Sequence, residues 1–295
     1  MSITRKKTWF DWLLVLFMIL VAIATLYPFL HVLALSLNDA NDAVRGGIHI
    51  WPREFTLDNY IHIFTENNDL VRAFINSVLR TVLGTALGVI ACSICAYVLS
   101  RKHFVFRRVI TTMLVITMYV SGGLIPWFLL IRNLGLVDNF LVYIIPGMIS
   151  AFNVIVIRSF MEGLPDALEE SAKIDGAHDF TIFVKIILPL CLPVIATVAL
   201  FIAVGQWNSW FDTYLFARNN INLTTLQWEL MKVLENAQVS PGSVNPATAQ
   251  NLVRAVSPTS IRMAITMVAT LPIVFVYPFV QKYFMSGLTI GAVKS

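Results

Sequence analysis

The sequence predicts an all-α polytopic membrane protein with six transmembrane helices and both termini on the cytoplasmic side. Three observations carry that expectation. The 295 residues are 57% hydrophobic and only 13% charged, with mean hydropathy +0.75, which is more apolar surface than one soluble core buries. The apolar residues gather into runs near the length, about 20 residues, that a helix needs to cross about 30 Å of hydrocarbon. The basic residues gather in the short segments between alternate runs.

The six runs are Trp12–Leu37, Phe74–Leu99, Val109–Ile131, Leu141–Phe160, Leu190–Phe216 and Met263–Phe284. The first follows Arg5, Lys6 and Lys7 as a signal peptide would, but it is about twice the length of a signal h-region and ends in "LHVLALSLND" rather than a small-residue cleavage site. A retained helix, 12–37, is expected after a cytoplasmic segment 1–11. The next segment, 38–71, contains "WPREFTLDNYIHIF", in which Trp51, Tyr60 and Phe64 are expected to anchor at the lipid headgroups. In the third run, Gly122, Gly123 and Pro126 mark either a hinge or a close helix contact. Outer loop 217–262 contains "NLTTLQWELMKVLENAQ", which reads as a helix with Leu226, Leu230 and Leu234 at four-residue spacing; the "VSPGSVNPATAQ" that follows is turn chemistry. Such a loop serves a partner or a gate, or is a solvated connector.

Charge sets the orientation. Arg5, Lys6, Lys7, Arg101, Lys102, Arg107, Arg108, Arg158, Lys173, Lys185, Lys282 and Lys294, twelve of the 21 Lys and Arg, fall on one side of the six-run arrangement. That side is expected to be cytoplasmic. The formal net charge of +4 is thus a topology signal and requires no nucleic-acid partner. Cys92, Cys95 and Cys191 lie in or beside apolar runs, where "CSIC" reads as packing rather than as a redox or metal pair.

Between the fourth and fifth runs the chain turns polar at "LPDALEESAKIDGAHDF". Pro165 ends what precedes it, Asp166 is placed to cap a helix, and Glu169 three residues on approximates a capping box. Glu169 and Lys173 are ordered for an i,i+4 ion pair, and Gly176 suits the left-handed position that closes a helix. The expected product is a cytoplasmic helix of about nine residues within 167–176. Leu168, Ser171, Ala172 and Asp175 share one face of it, and Ser171 and Ala172 are small enough to admit another surface. By itself the pattern also fits an amphipathic connector.

Glu170-Ser171-Ala172, then Gly176, then Ile186, Leu188 and Pro189 resemble the EAA signature of ABC-importer permeases, E-A-A-x3-G-x9-I-x-L-P, with Ser171 the one departure. "FTLDNYIHIF", "NSVLRTVLGTALG", "AYVLSRK", "SGGLIPWFLLIRNLGLVDNF", "AVGQWNSWFDTYLF" and "GLTIGAVKS" are similar to the MalG-type carbohydrate permeases, in the LplC/YtcP-like branch associated with oligosaccharides or polysaccharide fragments. The resemblance implies a first helix beside a MetI-like five-helix core, 72–290. It further implies a second homologous permease subunit, two ATPase subunits that bind ATP and Mg, an extracytoplasmic solute-binding protein, and a bacterial cell membrane as the location. In this family the helix seats on the ATPase, so Leu168, Glu169, Glu170, Ser171, Ala172, Asp175, Gly176 and Pro189 are the expected coupling residues.

The chain carries no G-x4-G-K-[ST] phosphate loop, so the energy is expected from a partner and no catalytic or metal-ligating set is assigned. A sugar pathway needs hydrogen-bonding groups and aromatic faces inside the bundle. Asn76, Arg80, Asn153, Gln206, Trp207, Asn208, Trp210 and Asp212 are the candidates, with Ser77 and Tyr214 near them. Arg80 has three readings: a pathway cation suited to an acidic sugar, a snorkelling residue, or the partner of Asp212. In the arrangement of the maltose system the sugar sits mainly on the other permease, which would leave these residues lining the gate. Other solutes, such as glycerol phosphate or a glycoside, fit the same class. A membrane enzyme is disfavoured because His31, His49, His62, His103 and His178 show no H-x3-H spacing. An ion-coupled transporter is disfavoured because only Asp212 among the acids lies within a run, and no repeat is evident.

Overall fold

The computed structural model describes residues 8–65, 68–238 and 258–292, and among these it is helical, with one isolated antiparallel bridge, Asn38 to Phe55. In chain order the helices are α1 Trp9–Ser36, α2 Ala40–Val44, α3 Asp58–Thr65, α4 Asn68–Ser100, α5 Arg107–Tyr119, α6 Leu124–Asn133, α7 Ala151–Met161 and α8 Ala167–Ile174. There follow α9 Asp179–Ile182, a π turn Phe183–Ile187, α10 Leu188–Leu190, α11 Leu192–Asn208, α12 Phe211–Phe216, α13 Leu226–Gln238 and α14 Pro258–Ala292. Among the described residues, three helical stretches are long and apolar enough to cross a membrane: α1, Asp69–Ser100 and Thr259–Val276. A fourth arises if Asp179–Leu190 and Leu192–Asn208, bent by 82° at their junction, count as one span.

Thus three of the six expected runs are not continuous helices. The third breaks between α5 and α6, where Gly123 takes φ +86° and nothing lies closer to its missing Cβ than Pro126 Cδ at 3.9 Å; within this chain the glycines interrupt the helix rather than admit a neighbour. The fourth is a 3-10 turn, Phe140–Tyr143, followed by turns and then α7. The fifth divides at Ser209 and Trp210, so Asp212 sits on a separate short helix, α12. Its inner end bends at Cys191 because Pro193 has no N–H to return to the preceding turn. Apolar composition marks all of these stretches equally; glycine stands at the break at Gly123 and proline at the bend before Pro193, whereas the break at Ser209 and Trp210 has neither.

The chain divides into two compact units, Met1–Asn68 with Lys232–Leu271, and Asp69–Met231 with Pro272–Ser295. In the first, the turn after α1 is organised by Asn38, which accepts from the amides of Arg53 and Glu54 and donates to Asp42. Trp51, 83% exposed, and Phe64 face outward as a headgroup anchor requires, but the Tyr60 hydroxyl turns in to Ser36 Oγ at 2.8 Å. In the second unit, Cys92, Ala96, Tyr97 and Leu99 of α4 share a buried cluster with Val154 and Ile157 of α7, Phe183 and Cys191. The three cysteines are free thiols, as expected of packing residues. The turn segment "VSPGSVNPATAQ" and the basic residues Arg5, Lys6, Lys7 and Lys294 lie outside the described residues.

Candidate functional site

Two places in the second unit gather the candidate residues. The first is a cavity of about 330 Å³ lined by α4, α6, α7, α11 and α12 together with the 3-10 turn. Arg80 projects from α4 at its edge and is 1% exposed. Its Nη2 donates to Asp212 Oδ2 at 2.7 Å, its Nε to Gln206 Oε1 at 3.1 Å, and its Nη1 to the Ser209 carbonyl at 3.2 Å. The ring of Tyr143 lies 4.5 Å from the guanidinium carbon. A buried cation is tolerated when its donors are matched in this way. Of the three readings of Arg80, the ion pair with Asp212 is the one observed.

The charge that the cavity meets is therefore the carboxylate. The Asp212 side chain is 35% exposed against 2% for Arg80, and its Oδ2 is steadied by Ser209 Oγ at 2.9 Å. Gln206 completes the wall by donating Nε2 to the Tyr143 carbonyl at 3.1 Å. It also fills the space over Gly84, where an added Cβ would stand 2.8 Å from Gln206 Nε2. Asn153 from α7 and the rings of Trp127, Tyr143 and Phe216 supply the rest. The site thus offers a fixed acceptor pair, an amide and three aromatic faces, with the Arg80 charge already balanced.

Five of the residues named from the sequence stand elsewhere. Asn76 donates to the carbonyls of Asn222 and Thr224 at 2.8 and 2.9 Å, which ties α4 to the outer segment and uses its amide structurally. Trp207 is buried edge-on to Phe74, on a different side of α11 from the cavity-lining Gln206. Trp210 stacks on Trp228, centroids 6.2 Å apart, and Asn208 accepts from Gln227. Ser77 Oγ accepts from the Leu226 amide. Helical spacing placed these polar and aromatic residues near one another, but side-chain direction separates them. Tyr143, Ser209 and Trp127 were missed because their roles depend on contacts across the bundle; Trp127 in "SGGLIPWF" carried the only visible signal, an aromatic ring beside a helix breaker.

The second place is α8, eight residues long and followed by Gly176 at φ +79°. Its start differs from the expected capping box. Asp166 has helical backbone angles and makes no cap; instead Lys102 Nζ lies 2.6 Å from its Oδ2, and that hydrogen bond and charge hold the Asp166 carboxyl below its ordinary pKa. Glu169 pairs with Arg101 as well as with Lys173 Nζ at 3.3 Å, so it is turned toward its own chain. Ala172, only 7% exposed, packs into the cluster containing Tyr97 and Leu99, which removes it from the surface open to a partner. Leu168, Glu170, Ser171 and Asp175 remain exposed, and so does Ile174 at 86%, a residue that the signature does not mark. Pro189 falls on α10, just before the 82° bend.

Residues 69–290 match the family of binding-protein-dependent transport system inner membrane components, and the chain belongs to that family. It is a family of membrane permease subunits of ABC importers, working with ATPase and solute-binding partners. The chain is 38% identical over 290 residues to the polygalacturonan/rhamnogalacturonan transport system permease protein YtcP of Bacillus subtilis (strain 168), covering 98% of this chain and 99% of that one. It is likewise 38% identical over 294 residues to Protein LplC of the same organism, covering 99% and 97%. Among solved structures it resembles a chain of a bacterial ABC transporter involved in the import of the acidic polysaccharide alginate, with TM-score 0.85 and 28% identity over 95% of this chain and 100% of that one. The MetI-like helical fold expected from the motifs is the fold found.

Proposed function

We propose that the chain is the transmembrane permease subunit of a carbohydrate importer, taking an oligosaccharide or polysaccharide fragment across a bacterial cell membrane. End-to-end similarity to a permease named for polygalacturonan and rhamnogalacturonan carries this reading, since the alignment spans 98% of this chain and 99% of that relative. The cavity at Arg80 and Asp212 agrees with it: carboxylate and amide groups accept and donate to sugar hydroxyls, and aromatic faces stack on sugar C–H faces. Galacturonan and alginate are uronic-acid polymers, so an acidic fragment is the favoured substrate. Because Arg80 is already paired with Asp212, recognition of the sugar's acid groups falls to other parts of the assembly.

In this reading six membrane passes leave both termini in the cytoplasm, with the α5–α6, 3-10–α7 and α10–α12 stretches crossing as broken helices. The partners are a second homologous permease, two ATPase subunits holding ATP and Mg, and an extracytoplasmic binding protein. ATP binding draws the ATPases together, and α8, offering Leu168, Glu170, Ser171 and Asp175, passes that movement to the bundle. The test is to coexpress the chain with its chromosomal neighbours, purify through a tag on this subunit, and reconstitute it in liposomes. A second permease and an ATPase are expected to copurify, with ATP hydrolysis stimulated by binding protein loaded with oligogalacturonides. A chain that purifies alone and transports with an ion gradient would refute the proposal.

A further inference from the structure

Helix α8 is held by more than its own two ends. Arg101, the residue after α4, stands with its guanidinium carbon 4.3 Å from the centroid of the Tyr97 ring, while its Nε donates to Ser100 Oγ at 3.2 Å. Positioned in this way, it pairs through Nη1 with Glu169 of α8, and both side chains are largely buried, at 22% and 13% exposure. Lys102 adds the exposed pair to Asp166 at the start of α8. Tyr97 continues the grip: its ring centroid is 4.9 Å from that of Phe183 in the π turn, and its hydroxyl donates to the Asp179 carbonyl at 3.3 Å. Ala172 joins the same buried cluster as Ala96, Tyr97 and Leu99. The last turn of α4 therefore engages each element from α8 to the π turn. The covalent connections of α8 are poor levers by comparison, with non-helical residues before it and a left-handed glycine after it.

From this geometry we infer that Arg101 is a positioning residue of the transport cycle, whose pair with Glu169 makes α8 and α4 move as one body. Force received by α8 then reaches the cavity along a single unbroken helix, from Arg101 to Arg80, about 30 Å at 1.5 Å per residue. The inference rests on α8 receiving the ATPase, as proposed above. Within the signature the two adjacent acids face opposite ways: Glu170 outward to the partner, Glu169 inward to Arg101.

The test uses the complete complex with its ATPase and second permease, carrying spin labels on keto-bearing residues at Ala167 of α8 and Ile94 of α4, so that the native cysteines stay in place. The distance between labels is measured without nucleotide and after trapping with ATP and vanadate. In otherwise wild-type protein the distance is expected to stay constant on trapping. In Arg101→Glu it should shift by about 3 Å, within the range of helix displacements in switching proteins, and the exchange Arg101→Glu with Glu169→Arg should restore constancy. If Arg101→Glu fails to assemble, the neutral pair Arg101→Gln with Glu169→Gln leaves no unpaired charge and is expected to shift in the same way. A distance that shifts in the wild-type complex, or stays constant in the variants while vanadate traps nucleotide, overturns the inference and leaves the importer reading intact. A complex that traps no nucleotide because no ATPase accompanies it rejects both.

Discussion

Arg80 is a cation at 1% exposure whose hydrogen bonds reach Gln206, Ser209 and Asp212. Removing its counter-charge leaves a buried guanidinium uncompensated, so Asp212→Ala is expected to destabilise the detergent-solubilised protein by about 3 kcal/mol. Arg80→Gln combined with Asp212→Asn should recover more than half of that loss, because neither charge remains to be paired; thermal unfolding midpoints of the three proteins decide it. The exposed Lys102–Asp166 pair behaves differently. The hydrogen bond and charge of Lys102 hold the Asp166 carboxyl below its ordinary value in the folded chain, so its contribution is present above the unfolded value and lost as pH falls through the folded one. The stability difference between wild type and Asp166→Asn should accordingly be flat from about pH 5 upward and close only below the ordinary carboxylate range. A difference that grows on acidification would contradict the assignment.

At the scale of single elements, α4 and α11 approach closely because Gly84 has no side chain. A methyl there would stand 2.8 Å from Gln206 Nε2, and Gln206 is not free to yield, being held by Arg80 and the Tyr143 carbonyl. Gly84→Ala is expected to cost about 2 kcal/mol, the range of overpacking in tight sites, measurable as a lowered unfolding midpoint. Gly176 presents the opposite case. Nothing lies within 4 Å of its missing Cβ, so Gly176→Ala is penalised by backbone strain at φ +79° alone, about 1 kcal/mol, and Gly176→Asn by less. On the outer face of α8, Ile174 is 86% exposed. With α8 as the ATPase-facing helix, Ile174→Asp should cut the copurifying ATPase by about tenfold while leaving the midpoint of the chain by itself unchanged.

At the scale of the molecule, the second unit joins its two sites through one helix. α4 carries Arg80 at the cavity and ends at Ser100, beside Arg101 and α8. Around it the stretches that bend, at Gly123, Ser209 and Cys191, lie next to the cavity or to α8 rather than on α4. Broken helices near a polar cavity and one continuous helix linking it to α8 suit a machine in which displacement is carried by α4 and absorbed elsewhere. The α1 helix, apolar and exposed along most of its 28 residues, has the surface of a lipid-facing span.

Composition and local spacing alone determined the membrane class, the positions of α1, α4 and α14, the left-handed Gly176, the Glu169–Lys173 pair and the family signature, because each depends on residues within a few positions of one another. Only the tertiary structure decided that Arg80 is paired rather than free, since its partner is 132 positions away, and that Asn76 and Trp207 are structural rather than cavity groups. It also decided that Glu169 and Ala172 face inward: the helical repeat assigns residues to faces of α8, but which face meets its own chain is set by Arg101, Tyr97 and the buried cluster. Likewise an apolar run looks the same whether it crosses as one helix or two. Whether its glycines and prolines bend it depends on what packs around the freed backbone groups, which neighbouring residues do not specify.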